Sequence, residues 1–157
     1  MASMQVEKPQ RHVYVNMKNH TSIEMLCEKY ISFGQPNHPV LLPPIPAGEK
    51  LDLGQVVWKG AVVYSGYNKE KEPSAWLLAW DPFVTNGMPS VRKVYVACGS
   101  KSVIENMSKE EIEKNLDDAS EFSEATDPIT KTTANAVIIG ASPNDSANVS
   151  ANFALVN

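Results

Sequence analysis

The five residues from Trp76 to Trp80, WLLAW, restrict the fold more than any other part of this sequence. In an extended chain successive side chains point to opposite faces, so Trp76, Leu78 and Trp80 share one face and Leu77 and Ala79 the other. Both faces are apolar. In a two-sheet sandwich one face of a strand meets the core and the other normally meets water, so this strand needs a second cover. Three candidates can supply it: a helix later in the chain, a second copy of the chain, or a ligand that stacks on tryptophan.

The rest of the sequence also reads as short strands. In RHVYVNMK, Val13, Val15 and Met17 alternate with His12, Tyr14, Asn16 and Lys18, the period of a half-buried strand. After the turn Asn19-His20-Thr21, the spacing of Ile23, Met25 and Cys27 suggests a second strand, expected to form a hairpin with the first. Residues 35–48 carry five of the eleven prolines, and proline removes the donor that a ladder needs, so an extended crossing is expected there. EKLDLGQVVW and GAVVYSGY are two β-branched runs, NKEKEP is a charged loop, and RKVYVAC is a sixth strand. Ser108 with Glu111 three positions on forms a capping box, which predicts a helix over Lys109 to Ser120 with Ile112 and Leu116 on one side. A polar loop over 121–133 and strands at 134–139 and 149–155 complete the chain. The expected class is mainly β, an antiparallel β-sandwich of about eight strands with one short helix. Residues 1–10 form a disordered tail and 11–157 one domain.

Composition excludes several functions. With 14 Lys and Arg against 18 Asp and Glu, no basic stripe is present to neutralise a row of phosphates, so nucleic acid is not an expected partner. The N-terminus lacks the apolar core of a secretory signal, and no apolar run is long enough to span a bilayer, so a cytoplasmic protein without a transmembrane segment is expected. Cys27 and Cys98 are then reduced, and the sequons at Asn19, Asn106, Asn144 and Asn148 are incidental. No G-x-S-x-G elbow, phosphate loop or metal-ligand spacing occurs, so no catalytic residue, cofactor or metal is assigned. Gly99-Ser100-Lys101-Ser102 reads as a strand-end turn.

The run AVVYSG, a charged loop and WLLAWD at Ala61 to Asp81 resembles the jasmonate-induced twenty-three-kilodalton protein family of plants, over most of the chain from about residue 11. That resemblance implies a cytosolic plant protein induced by jasmonate or stress, and it carries no catalytic residue across. The order of strands and the crossing ending in Pro-Ala-Gly is also similar to the β-sandwiches of aegerolysins and actinoporins, which recognise membrane lipids, a likeness of fold alone.

The functional expectation is a non-enzymatic stress protein that binds a lipid headgroup, a glycan or a protein partner through aromatic side chains. Tyr64, Tyr67, Trp76, Trp80 and Phe83 are the candidate ligand-binding residues, because their rings combine an apolar body with a polar edge. Two rivals stand beside it: a small enzyme using Asp81, His12 or Tyr95 as acid or base in a pocket of the sandwich, and a homodimer that covers the tryptophan face.

Overall fold

The computed structural model describes residues 13–38, 40–82, 92–140 and 147–156. The expected tail, residues 1–10, lies outside them, as do His12 and Phe83. Among the described residues the strands are β1 (Val13–Asn19), β2 (Leu26–Ser32), β3 (Lys50–Val56), β4 (Gly60–Tyr67), β5 (Pro73–Asp81), β6 (Lys93–Ser100), β7 (Phe122–Asp127), β8 (Thr132–Gly140) and β9 (Ala147–Leu155). Two helices, α1 (Lys101–Glu105) and α2 (Lys109–Asp117), follow β6. The strands form a β-sandwich of a five-stranded sheet, ordered β3-β1-β9-β8-β7, and a four-stranded sheet, ordered β2-β4-β5-β6. Neighbouring strands run antiparallel, except that β1 and β9 are parallel.

The WLLAW strand sits between β4 and β6, with Leu78 level with Val62 on one side and Val96 on the other. Its inner row, Trp76, Leu78 and Trp80, enters the core between the sheets with Val15, Val149 and Phe153. The indole of Trp76 donates to the carbonyls of Thr133 (3.1 Å) and Ala154 (3.2 Å), and that of Trp80 to the carbonyl of Trp58 (3.0 Å). Its outer row, Ala75, Leu77 and Ala79, packs beneath Ile104 of α1 and Ile112 and Leu116 of α2. The second cover of this strand is therefore helical. The N-cap forms as expected, with the Ser108 hydroxyl accepting from Glu111 N at 3.1 Å, although α2 ends at Asp117 rather than Ser120.

Three expectations are corrected. β1 and β2 do not form a hairpin: β1 pairs with β3 and β9, and β2 with β4 in the other sheet. The buried side chain of Asn19 shapes the turn between them. It donates to the carbonyls of Ile23 (2.8 Å) and Ile45 (2.9 Å) and accepts from the amide (2.8 Å) and hydroxyl (2.7 Å) of Thr21. These bonds carry the chain across the sandwich, where Met25 and Ile45 exchange two backbone bonds that pin the proline-rich crossing. Second, FSEATD in the expected loop is an edge strand, β7, paired with β8. Its polar residues suit an edge, where charge discourages pairing with another chain. Third, the residues after Ser100 form α1 instead of a plain turn, because Ile104 has the outer row of β5 to bury against.

Candidate functional site

Three of the five aromatic residues expected at a site belong to the interior. Trp76, Trp80 and Tyr64 are fully buried. The Tyr64 hydroxyl donates to the carbonyl of Pro43 at 2.9 Å, and burial pushes its phenol far above the ordinary range. Tyr67 is 47% exposed, and it borders a cavity of about 170 Å³ with Leu26, Glu28, Ser65 and Lys101. The polar groups there are bonded to one another: Ser65 Oγ donates to Glu28 Oε1 at 2.6 Å, and Lys101 Nζ lies 3.4 Å from the same oxygen. Of the rival acid–base set, Asp81 ends β5 and Tyr95 lies on β6, its hydroxyl accepting from Asn115 Nδ2 at 3.3 Å. Burial first, then the charge of Glu111, raises the Tyr95 phenol above its usual value, which disfavours it as a base.

A different aromatic group forms where the sequence pattern singled out no site. Tyr30 from β2, His38 from the proline-rich crossing and Trp58 from the turn between β3 and β4 pack together at one end of the sandwich. The rings of Tyr30 and His38 stack with centroids 3.9 Å apart and 22° between planes. Trp58 lies 4.9 Å from His38 and 6.2 Å from Tyr30. Backbone bonds hold the three segments in place, from His38 N to Tyr30 O (3.2 Å) and from Phe33 N to Lys59 O (3.0 Å). Burial, and secondarily Cys27, pushes the Tyr30 phenol up.

This cluster departs from ordinary packing in two ways. His38 Nε2 and Trp58 Nε1 are buried atoms with no hydrogen-bond partner among the described residues, a condition that costs about 1–3 kcal/mol per group. Large apolar side chains next to it in sequence also face solvent: Val40 is 73%, Leu41 51% and Val57 40% exposed. An indole N–H and an imidazole nitrogen can each bond a polar headgroup oxygen, and exposed apolar side chains can meet hydrocarbon. No helical or alternating period marks these residues as a set. The sequence pattern put Trp58 at the end of the run EKLDLGQVVW, whereas β3 ends at Val56 and leaves Trp58 in the turn before β4.

Among the described residues no three His, Cys, Asp or Glu side chains gather as a metal site, and no helix is long and apolar enough to cross a membrane. No protein-family model matches the chain. A jasmonate-induced protein homolog from Atriplex canescens is 42% identical over 76 residues, which is 48% of this chain. The likeness to jasmonate-induced proteins holds. The matched stretch is 40% of that relative's own length. Among solved structures, the lipid binding protein Nakanori superposes with a TM-score of 0.67 at 17% identity, over 91% of this chain and 70% of Nakanori, and so shares the fold. A lectin of Xerocomus chrysenteron gives a TM-score of 0.48 at 12% identity, over 91% of this chain and 99% of the lectin.

Proposed function

We propose that this chain is a non-enzymatic, jasmonate-induced stress protein that works from the cytoplasm and binds a lipid headgroup at the Tyr30–His38–Trp58 end. The observation that carries this reading is the pair of buried ring nitrogens without a partner among the described residues, on segments whose sequence neighbours Val40, Leu41 and Val57 are exposed. The fold shared with a protein that binds lipid supports the ligand class, and the plant relative supports the inducing signal. Trp and Tyr suit the boundary between headgroups and hydrocarbon because one end of each ring is apolar and the other can be wet.

The test uses the buried state of the other indoles. With Trp76 and Trp80 fully buried, iodide quenching of the free protein reports Trp58 alone. Vesicles of the recognised composition are expected to remove that quenching and shift the emission to the blue. Trp58→Ala should weaken vesicle binding by about tenfold or more, the equivalent of roughly 1.5–3 kcal/mol of ring burial. Tyr67→Ala, at the cavity beside Glu28 and Lys101, should leave it unchanged. Undiminished binding by Trp58→Ala, or no response to neutral, anionic or sterol-bearing vesicles, excludes this end as the site.

A further inference from the structure

The two sheets are finished differently on their outer faces. α1 and α2 pack on β4, β5 and β6 of the four-stranded sheet. On the five-stranded sheet the outward rows of β1, β8 and β9 carry amides where strand propensity disfavours them: Asn16, Asn135, Asn148 and Asn152. The register places these groups side by side, with Asn16 opposite Ser150, Lys18 opposite Asn152, and Asn135 opposite Asn152. Asn152 is fixed in orientation, since its Nδ2 donates to Asn135 Oδ1 at 2.9 Å and its Oδ1 lies 2.7 Å from His20 Nε2. Residues that break a local preference without a packing reason concentrate at functional surfaces.

A groove of about 600 Å³ runs along this face, lined among others by Asn16, Lys18, Glu49, Lys50, Ser150 and Asn152. Lys18 and Lys50 are direct cross-strand partners, an arrangement of like charges that destabilises a sheet. Neither ammonium lies within ion-pair distance of a carboxylate among the described residues. Asp52, level with Asn16, stands beyond the lining of the groove. With Glu49 counted, the lining keeps one positive charge in excess. An anionic occupant would relieve the repulsion between the lysines, and the amides and the Ser150 hydroxyl offer paired donors and acceptors on adjacent strands about 4.8 Å apart.

We infer that this groove binds an acidic oligosaccharide, a short chain of sugars bearing carboxylates, with the Lys18–Lys50 pair on a carboxylate and Asn16, Asn152 and Ser150 on ring hydroxyls. A simple anion would use the lysines and leave the amide row without a role; a neutral sugar would leave the lysine pair unrelieved. The site lies on the opposite sheet from the helices and does not depend on the lipid reading.

Calorimetric titration of the whole chain with tetragalacturonate, its methyl-esterified form and inorganic phosphate tests the inference. The acidic chain is expected to bind. Esterification should weaken it by about fivefold or more, as should Lys18→Gln and Lys50→Gln singly, and added salt should weaken it further. Both lysines are solvent-facing, so these variants should keep the native near-ultraviolet dichroism. No heat with the acidic chain overturns the inference. So does binding that survives both lysine changes, or phosphate displacing the sugar at equal concentration, which would mark a plain anion site.

Discussion

At the scale of single residues, Asn19 shows how far one side chain can govern a path. The N-x-T triplet to which it belongs reads as a glycosylation acceptor, yet in the fold its amide is buried and makes four hydrogen bonds, two donated and two accepted. Asn19→Ala is expected to cost about 2–4 kcal/mol in urea titration, because it strands carbonyls of Ile23 and Ile45 as well as the Thr21 donors. Asn19→Asp should cost at least as much, since a carboxylate has no proton to offer those two carbonyls. A loss under about 0.5 kcal/mol for both would mean that the turn holds without it. Residue chemistry was the least legible level in the sequence. Alternation showed that Trp76 and Trp80 share a face, but not that their N–H groups would find carbonyls inside the sandwich. Nor could local pattern bring Tyr30, His38 and Trp58 together, because their contact is made by three separate segments.

Elements were more legible where periodicity is strong. β4, β5 and β6 lie close to their expected spans, because β-branched and aromatic runs bounded by turn residues leave little choice. β7 escaped because its inward row, Ser123, Ala125 and Asp127, holds one apolar residue and buries little, as an edge strand can. α1 escaped because five residues are too few to show a helical period. The apolar outer row of β5, which raised the question of a second copy, is covered from within the chain by α1 and α2 together. The N-cap of α2 gives a direct test. Ser108→Ala should destabilise the protein by about 1 kcal/mol, and Ser108→Asp should restore most of it, with its carboxylate at the positive end of the helix. Equal loss in both variants would assign the effect to something other than capping.

For the whole molecule, the sequence indicated two layers of strands but not the order of strands within them. Partner choice depends on which segments meet across the core, information that a period of two does not contain. Phe153 shows the consequence for stability. It is carried by β9 and packs against Tyr64 and Trp76 of the other sheet, with centroids 6.5 Å from each. Phe153→Ala should cost about 3–5 kcal/mol, and fluorescence and far-ultraviolet dichroism should report one coincident urea transition, because the sheets share this contact. Two separated transitions would show instead that each sheet holds on its own.

The strand that carries Phe153 also comes after all the others in the chain, yet it stands in the middle of its sheet, between β1 and β8. During synthesis, β1 and β3 leave the ribosome early and find no centre to build on. The edge of β1 away from β3 stays unpaired until β9 has been made. Such a nascent chain waits with a sticky strand on display, a state that favours association with neighbours and calls for a chaperone. The four-stranded sheet is under no such delay, since every one of its strands precedes β7. The five-stranded sheet is therefore expected to close late, once β9 is complete.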